Sequence, residues 1–149
     1  MPELIQNGGR PGQENARSRS GLRRGNMARI LVAEDEVPVR EFIRRALEHR
    51  GHEVVAVADG ADALVKLARN SFDLLLTDIG MPNLDGVELA LRVARDWPDL
   101  PVLMMSGYAL ERRRAHGIDG LAEAVLQKPF SMVDLNMAVE QVLASRAPA

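Results

Sequence analysis

The sequence of 149 residues contains no cysteine, and aromatic residues make up only 3% of it. Without cysteine the protein can form neither disulfide bonds nor thiolate metal sites. No apolar run approaches the ~20 residues that a transmembrane helix requires, and the N-terminus has no apolar stretch typical of a secretion signal. Lysine is also scarce, because 17 of the 19 basic residues are arginine. These absences favour a cytoplasmic globular domain, and the hydrophobic content of 46% is sufficient for one core.

Residues 1–26 differ in composition from the rest of the chain. They contain five arginines and two glutamates, a charge of +3, so the net charge of −2 leaves −5 for the remainder. Because they show no periodic apolar face, they cannot bury enough surface to offset the entropy of ordering. We expect a disordered basic extension at 1–26, one folded domain at 27–145 and a short tail at 146–149. Binding of nucleic acid or anionic lipid by the extension is the less favoured alternative.

Five short apolar runs follow residue 27, and segments with helical spacing separate them. Each run is nearly continuous, as in strands buried on both faces of a parallel sheet. Five strand–helix units predict an α/β fold with a doubly wound five-stranded parallel sheet. In the flavodoxin-like strand order 2-1-3-4-5, strands one and three are adjacent where the order reverses, and ligands bind beyond the carboxyl ends of the strands. The runs are Ile30–Ala33, Val54–Val57, Leu74–Thr77, Val102–Met105 and Ala124–Leu126.

The helical segments carry start signals. Pro38 lies where the first turn of a helix tolerates proline, Asp59 is a predicted N-cap, and Ser131 with Asp134 forms a variant of the capping box. The fourth segment, residues 109–122, has few apolar positions and two glycines, so we expect it to be short, mobile or shifted. The predicted buried stripes of the other four are Val39, Phe42, Ile43, Ala46 and Leu47; Ala63, Leu64, Leu67 and Ala68; Val87, Ala90, Leu91 and Ala94; and Leu135, Ala138, Val139, Val142 and Leu143.

Three carboxylates follow the first and third apolar runs. Glu34 and Asp35 come after the first run, and Asp78 comes after the third. If these strands are neighbours, the carboxylates meet, and two unit charges about 4 Å apart repel by ~4 kcal/mol at an effective dielectric constant near 20. The cluster must then either take up a proton or hold a cation. Oxygen ligands without histidine or cysteine select a hard cation, and Mg²⁺ fits because it binds few carboxylates and keeps waters for a phosphate.

Lys128 follows the last apolar run in a chain that uses arginine almost everywhere else. A compact ammonium on a flexible stem suits one phosphoryl oxygen beside a metal better than a guanidinium fork does. Pro129 next to it permits a cis peptide bond at low cost. Ser106 ends the fourth run, where its hydroxyl can donate to a phosphoryl oxygen, and Gly107 leaves room for that oxygen. The sequence thus predicts a metal and phosphoryl site at one edge of the sheet.

The polar residues that follow the apolar runs belong to short motifs. The motifs are Glu34-Asp35; Asp78 followed by Met81-Pro82 and Asp85-Gly86; Ser106-Gly107; and Lys128-Pro129-Phe130. In this order and at these spacings, they resemble the receiver domain of bacterial two-component response regulators, the CheY-like family. The likeness covers roughly residues 28–145, which is all of the predicted folded chain. A single motif of this kind is weak, whereas the combination is specific.

The resemblance implies a stand-alone, single-domain receiver. Asp78 is then the residue phosphorylated by a histidine kinase or a histidine phosphotransfer protein. Mg²⁺ is bound by Asp35, Asp78 and the backbone carbonyl of Gly80, and Glu34 reaches it through water. Lys128 and Ser106 contact the phosphoryl oxygens. Such a protein catalyses only its own phosphorylation and dephosphorylation, and it signals by phosphorylation-dependent protein binding.

Two departures from the family pattern concern the switch between states. The usual aromatic residue three positions before the lysine is replaced by Val125, and Tyr108, two residues after Ser106, is the candidate substitute. The atypical segment 109–122 also lies where the family usually has part of its output face. The three histidines at 49, 52 and 116 are predicted to be surface residues.

Two other functions are alternatives. The segment around Tyr108 is also similar to single-domain regulators that act as adaptors for proteolysis when unphosphorylated. A phosphatase of the haloacid dehalogenase type needs a second carboxylate two residues after the nucleophile, and Gly80 at that position argues against it.

Overall fold

The computed structural model describes residues 27–107 and 122–146. Within these ranges the chain forms a five-stranded sheet in the order β2-β1-β3-β4-β5, and every pair of neighbouring strands is parallel. The predicted fold class and strand order are therefore confirmed. The strands are β1 Arg29–Ala33, β2 Glu53–Val57, β3 Leu74–Asp78, β4 Val102–Ser106 and β5 Ala124–Gln127.

Four helices accompany the sheet in the described part of the chain, and the start signals predicted at Asp59 and Ser131 are present. Asp59 caps one helix by accepting from the Asp62 amide at 2.8 Å, and Asp85 caps the next by accepting from the Glu88 amide at 3.0 Å. Ser131 Oγ accepts from the Asp134 amide at 3.0 Å, as the capping box predicts. The helices are α1 Val37–His49, α2 Gly60–Arg69, α3 Gly86–Asp96 and α4 Met132–Arg146.

The sheet separates two hydrophobic cores. On one face, alternate strand residues such as Leu31 and Leu75 pack with buried residues of α2 and α3. On the other face, Ile30 and Leu74 pack with residues of α1 and α4. The central strands β1, β3 and β4 are almost wholly buried, which explains their continuous apolar runs. None of the described helices has the length and apolarity needed to cross a membrane.

Burial predictions are wrong at five residues, Phe42, His52, Ala68, Leu91 and Ala94; Ala68 is exposed at the end of α2. Leu91 and Ala94 are exposed, because α3 turns Leu89, Ala90 and Val93 to the core instead. The phase of this helix is fixed by Gly86 at its start, which packs directly on the backbone of Asp78.

Phe42 was predicted to be buried, but it is 40% exposed. It lies at the edge of the α1 stripe, where its ring centroid is 6.3 Å from that of Phe130. His52 was predicted to lie on the surface, but it is only 6% exposed. Its Nδ1 accepts a hydrogen bond from the Ala28 amide at 3.0 Å, which ties the start of β2 to the start of β1. His49 is exposed, as predicted.

Some predictions concern residues outside the described ranges. These are the basic extension at 1–26, residues 108–121 with Tyr108 and His116, and the last three residues of the chain.

Candidate functional site

The three predicted carboxylates meet at the carboxyl ends of β1 and β3. These strands are paired in parallel with Ala33 opposite Thr77, so the residues that follow each of these two positions lie side by side. Glu34, Asp35 and Asp78 each offer an oxygen, and these oxygens lie within 4.8 Å of one another. Glu34 is 0% and Asp78 5% exposed, and Asp35 is the most open of the three. The predicted carboxylate cluster is thus present.

Lys128 brings a positive charge into this cluster from the end of β5. Its Nζ lies 2.8 Å from Glu34 Oε1 and 3.2 Å from Asp78 Oδ2. Burial lowers the pKa of Lys128, but the hydrogen bond to Glu34 and the charge of Asp78 outweigh burial and raise its pKa above the usual 10.5. The ammonium is therefore charged throughout the physiological range. The Lys128–Pro129 peptide bond is cis.

Backbone amides hold two of the carboxylates, and an arginine holds the backbone of Glu34. Asp78 Oδ1 accepts a hydrogen bond from the Ile79 amide at 2.9 Å. Glu34 Oε2 accepts from the Glu36 amide at 3.1 Å, and Arg40 donates to the Glu34 carbonyl at 2.9 Å. Arg40 was missed at the sequence level. Its position six residues after Glu34, on the first helix behind the acidic pair, was the available signal.

The loop between β3 and α3 surrounds Asp78 with backbone. Gly80 is exposed and lines the cavity above the carboxylates. At the far end of the loop, the Gly86 amide donates to the Ile79 carbonyl at 2.9 Å. A Cβ at Gly86 would lie 2.1 Å from the Asp78 carbonyl oxygen, so only glycine fits there. The sequence analysis named Asp85-Gly86 as part of a motif but did not predict this contact beneath Asp78.

Ser106 and Lys128 are connected through the backbone. Ser106 is fully buried at the end of β4, and its carbonyl accepts from the Lys128 amide at 2.8 Å. Gly107, the next residue, lines the cavity. Val125 lies within β5 and packs against the core shared with α2 and α3. The other predicted switch residue, Tyr108, is outside the described ranges.

A cavity of about 640 Å³ opens above the cluster. Asp35, Asp78 and Lys128 line its charged side. The lining also includes the apolar side chains of Phe42 and Phe130, a feature that the sequence did not predict. The site can therefore receive a charged group together with an apolar neighbour.

The residues of the cluster fit Mg²⁺. Three carboxylates, two of them buried, supply only oxygen donors, and hard divalent cations prefer such donors. One carboxylate remains open to solvent, which suits an ion that keeps several waters. The lysine beside them provides one positive charge against three negative ones, so the cluster retains net negative charge for a cation.

The chain is similar to proteins of one family, both in sequence and in structure. The model of the response regulator receiver domain family matches residues 30–140. The chain is 40% identical over 117 residues to the response regulator receiver protein CpdR of Brucella abortus (strain 2308), covering 78% of this chain and 98% of CpdR. It is 35% identical over 120 residues to the response regulator MprA of Mycobacterium sp. (strain KMS), covering 80% of this chain and 52% of MprA.

The chain thus spans nearly all of CpdR but about half of MprA. Among solved structures, the response regulator protein TrrA from Thermotoga maritima, in complex with Mg(2+)-BeF, is similar with a TM-score of 0.71 at 28% identity. That similarity covers 78% of this chain and 99% of TrrA.

Proposed function

The chain belongs to the response regulator receiver domain family, and on that premise we propose that Asp78 accepts a phosphoryl group from a histidine kinase or a histidine phosphotransfer protein. The family acts in two-component phosphorelay signalling and is not a class of conventional enzymes. One observation carries the assignment: Asp78 is a buried carboxylate of the acidic cluster, with Lys128 Nζ 3.2 Å from its Oδ2.

The proposed reaction is a phosphoryl transfer. A carboxylate oxygen of Asp78 forms a bond to phosphorus, while the bond from phosphorus to the imidazole nitrogen of the donor breaks, and the electron pair leaves with that nitrogen. The product is an acyl phosphate on Asp78. Catalysis of this type depends mostly on positioning and on neutralising the negative charge.

Different residues of this chain would position the carboxylate and neutralise the negative charge. The Ile79 amide orients the Asp78 carboxylate by donating to Oδ1 at 2.9 Å. Lys128 neutralises one negative charge beside Oδ2 and is placed to contact the incoming phosphoryl oxygens. Ser106 is the proposed second phosphoryl contact, and Gly107 leaves space above it. Asp35, Asp78 and the Gly80 carbonyl would hold Mg²⁺, with Glu34 acting through water, and the ion would supply the remaining positive charge.

The function of the phosphorylated protein is proposed to be the binding of a partner protein in the cytoplasm. Phosphotransfer profiling against purified histidine kinases identifies the donor. Partner binding is then measured with the phosphorylated and unphosphorylated forms, because an adaptor active when unphosphorylated would bind its target only in the second form.

The site assignment is tested with a small radiolabelled phosphodonor such as phosphoramidate. The wild type should incorporate label in Mg²⁺ and not in EDTA, and Asp78→Asn should incorporate none. Asp96→Asn is the matched control, because Asp96 is an exposed surface carboxylate paired with Arg95, and it should label like the wild type. Persistent labelling of Asp78→Asn would overturn the proposal.

A further inference from the structure

The loop that follows Asp78 is attached to the start of α2 by residues outside the phosphoryl site. Asn83 Nδ2 donates to Asp59 Oδ2 at 2.8 Å. One residue further, the Leu84 carbonyl accepts from the Gly60 amide at 3.2 Å. These contacts join two segments that lie 24 positions apart in the sequence. The β3–α3 loop is therefore held by a neighbouring helix as well as by its own strand.

The backbone conformation of Asn83 and the missing side chain of Gly60 both suit this attachment. Asn83 has a φ of +69°, in the left-handed region that favours glycine and asparagine. Glycine would satisfy the backbone equally well, but only asparagine also provides the amide that reaches Asp59. On the other side, a Cβ at Gly60 would lie 2.4 Å from the Leu84 carbonyl oxygen, so the helix and the loop are in direct backbone contact.

Asp59 contacts both helix α2 and the β3–α3 loop. Its Oδ1 caps α2 through the Asp62 amide at 2.8 Å, which leaves Oδ2 for Asn83. The Asp62 amide and then the Asn83 side chain lower the pKa of Asp59, so the carboxylate stays ionised at neutral pH.

Gly80, the proposed source of a backbone ligand for Mg²⁺, lies within the loop that these contacts hold. At one end of the loop, the Ile79 amide donates to the Met105 carbonyl at 3.1 Å. At the other end, Asn83 is held by Asp59. Gly80 lies between these two anchors and has no side chain of its own to fix its carbonyl. Release of the second anchor would leave the loop held on the α2 side by the Leu84–Gly60 hydrogen bond, one residue farther from Gly80 along the chain.

We propose that Asn83 and Asp59 are positioning residues that hold the β3–α3 loop in the conformation in which the Gly80 carbonyl binds Mg²⁺. The inference rests on the proposed function, because it takes Gly80 as a metal ligand. Neither residue is among those that line the cavity above Asp78, so both act through the loop.

The test is a double-mutant cycle on the Mg²⁺ dissociation constant, measured by calorimetry without any phosphodonor. Asn83→Gly keeps the left-handed backbone but removes the amide, and Asp59→Ser keeps a helix cap but is too short to reach Asn83. Each single variant should weaken Mg²⁺ binding by about fivefold, the value of one hydrogen bond. The double variant should be no weaker than either single variant, because the two changes break the same contact.

Asn83→Gly separates the hydrogen bond from the charge, because it breaks the contact and leaves the Asp59 carboxylate in place. Weakening of Mg²⁺ binding in Asp59→Ser but not in Asn83→Gly would assign the effect to the lost charge and overturn the proposal.

Two further outcomes distinguish failure of this inference from failure of the proposed function. Variants that bind Mg²⁺ as tightly as the wild type, while the wild type labels on Asp78, would overturn only the role of Asn83 and Asp59. Absence of Mg²⁺ binding and labelling in the wild type would overturn the proposed function and this inference with it. Urea unfolding in EDTA checks that each variant is folded before its affinity is compared.

Discussion

At the residue scale, Lys128 is the internal counter-ion of the acidic cluster. Its side chain is 17% exposed, and Glu34, 2.8 Å away, is 0% exposed. A fully buried carboxylate that loses its partner is left as an uncompensated charge, which is costly in a poorly solvated site. The stability of the protein and the metal occupancy of the site should therefore depend on each other through this lysine.

Lys128→Met should lower the free energy of unfolding by about 3 kcal/mol in EDTA, at the lower end of the range for removing one partner of a buried ion pair. The loss should be smaller in Mg²⁺, because the cation replaces the missing positive charge. Urea unfolding under both conditions measures the difference. Lys66→Met, at the only other lysine, should change stability by less than about 0.5 kcal/mol. Equal losses for Lys128→Met with and without Mg²⁺ would contradict this linkage.

The second prediction at the residue scale concerns His52 and the pH dependence of stability. Burial lowers its pKa below the usual 6.5; the charge of Glu140 raises it, Arg50 lowers it further, and Asp73 raises it. The neutral ring accepts from the Ala28 amide through Nδ1, which a doubly protonated ring could not do. As pH falls through 6.5, the unfolded chain takes up a proton that the folded protein does not. Stability should therefore fall with decreasing pH until the lowered pKa is reached, with a slope of at most about 1.4 kcal/mol per pH unit.

His52→Asn retains a side-chain acceptor without a titrating group in this range. Its free energy of unfolding should vary less between pH 7.5 and 5.5, by roughly the contribution of one proton. His49→Asn, at an exposed histidine of α1, should keep the pH dependence of the wild type. Urea unfolding at several pH values measures all three proteins. An unchanged pH dependence in His52→Asn would show that another group is responsible.

The individual residues that could be predicted from the sequence are those at the carboxyl ends of the strands. Asp78, Glu34 and Lys128 follow apolar runs, and the carboxyl ends of parallel strands share one edge of the sheet. Arg40 and Asn83 could not be found in this way. Arg40 binds a backbone carbonyl, and Asn83 binds a carboxylate on another segment. Such contacts depend on the packed positions of elements and leave no periodic pattern in the sequence.

At the scale of secondary structure elements, local signals succeeded where a side chain caps its own helix. Asp59 and Ser131 each accept from an amide three residues ahead, so the sequence contains the whole interaction. The buried face of α3, in contrast, could not be predicted from local signals. Both Val87 with Leu91 and Leu89 with Val93 have helical spacing, and the observed choice depends on the tertiary contact of Gly86 with Asp78.

Gly86→Ala tests that contact. The added Cβ would lie 2.1 Å from the Asp78 carbonyl oxygen, so either β3 or the start of α3 must move. We expect a loss of about 2 kcal/mol in unfolding free energy, typical of overpacking, and a slower phosphoryl uptake by Asp78. Urea unfolding and the initial rate of labelling measure the two effects.

Gly51→Ala is the control for this variant. Gly51 has a φ of +94°, and a Cβ there would meet no atom within 4 Å. The substitution should cost about 1 kcal/mol of backbone strain without changing the labelling rate. If Gly86→Ala labels as fast as Gly51→Ala, the Gly86 contact does not position Asp78.

At the scale of the whole molecule, the strand order makes one site from distant segments. β1 and β3 place the carboxylates, β5 places Lys128, and β4 lies between β3 and β5. Charge at Asp78 is thus close to Lys128, whose amide is bonded to the Ser106 carbonyl at the end of β4. The ends of β4 and β5 should therefore respond to phosphorylation together.

The response must use an element other than an aromatic side chain on β5, because Val125 occupies that position and has no ring to rotate. The sequence from Gly107 to Leu121 is the candidate, since it contains two internal glycines, three consecutive arginines and few apolar residues, features of low local stability. Residues 108–121 lie outside the described ranges, so this expectation rests on the sequence. Tyr108→Ala should weaken phosphorylation-dependent partner binding and leave phosphoryl uptake nearly unchanged.

Amide hydrogen exchange with and without Mg²⁺ and beryllofluoride tests the same switch directly. Beryllofluoride imitates the phosphoryl group on an aspartate, so it should change protection in the loop after Asp78 and also in residues 107–121. Asp78→Asn with the same additions is the control and should show neither change, because it lacks the carboxylate oxygen to which beryllium binds. Changes confined to residues 79–85 in the wild type would mean that the signal does not pass through Ser106 to the segment that follows it.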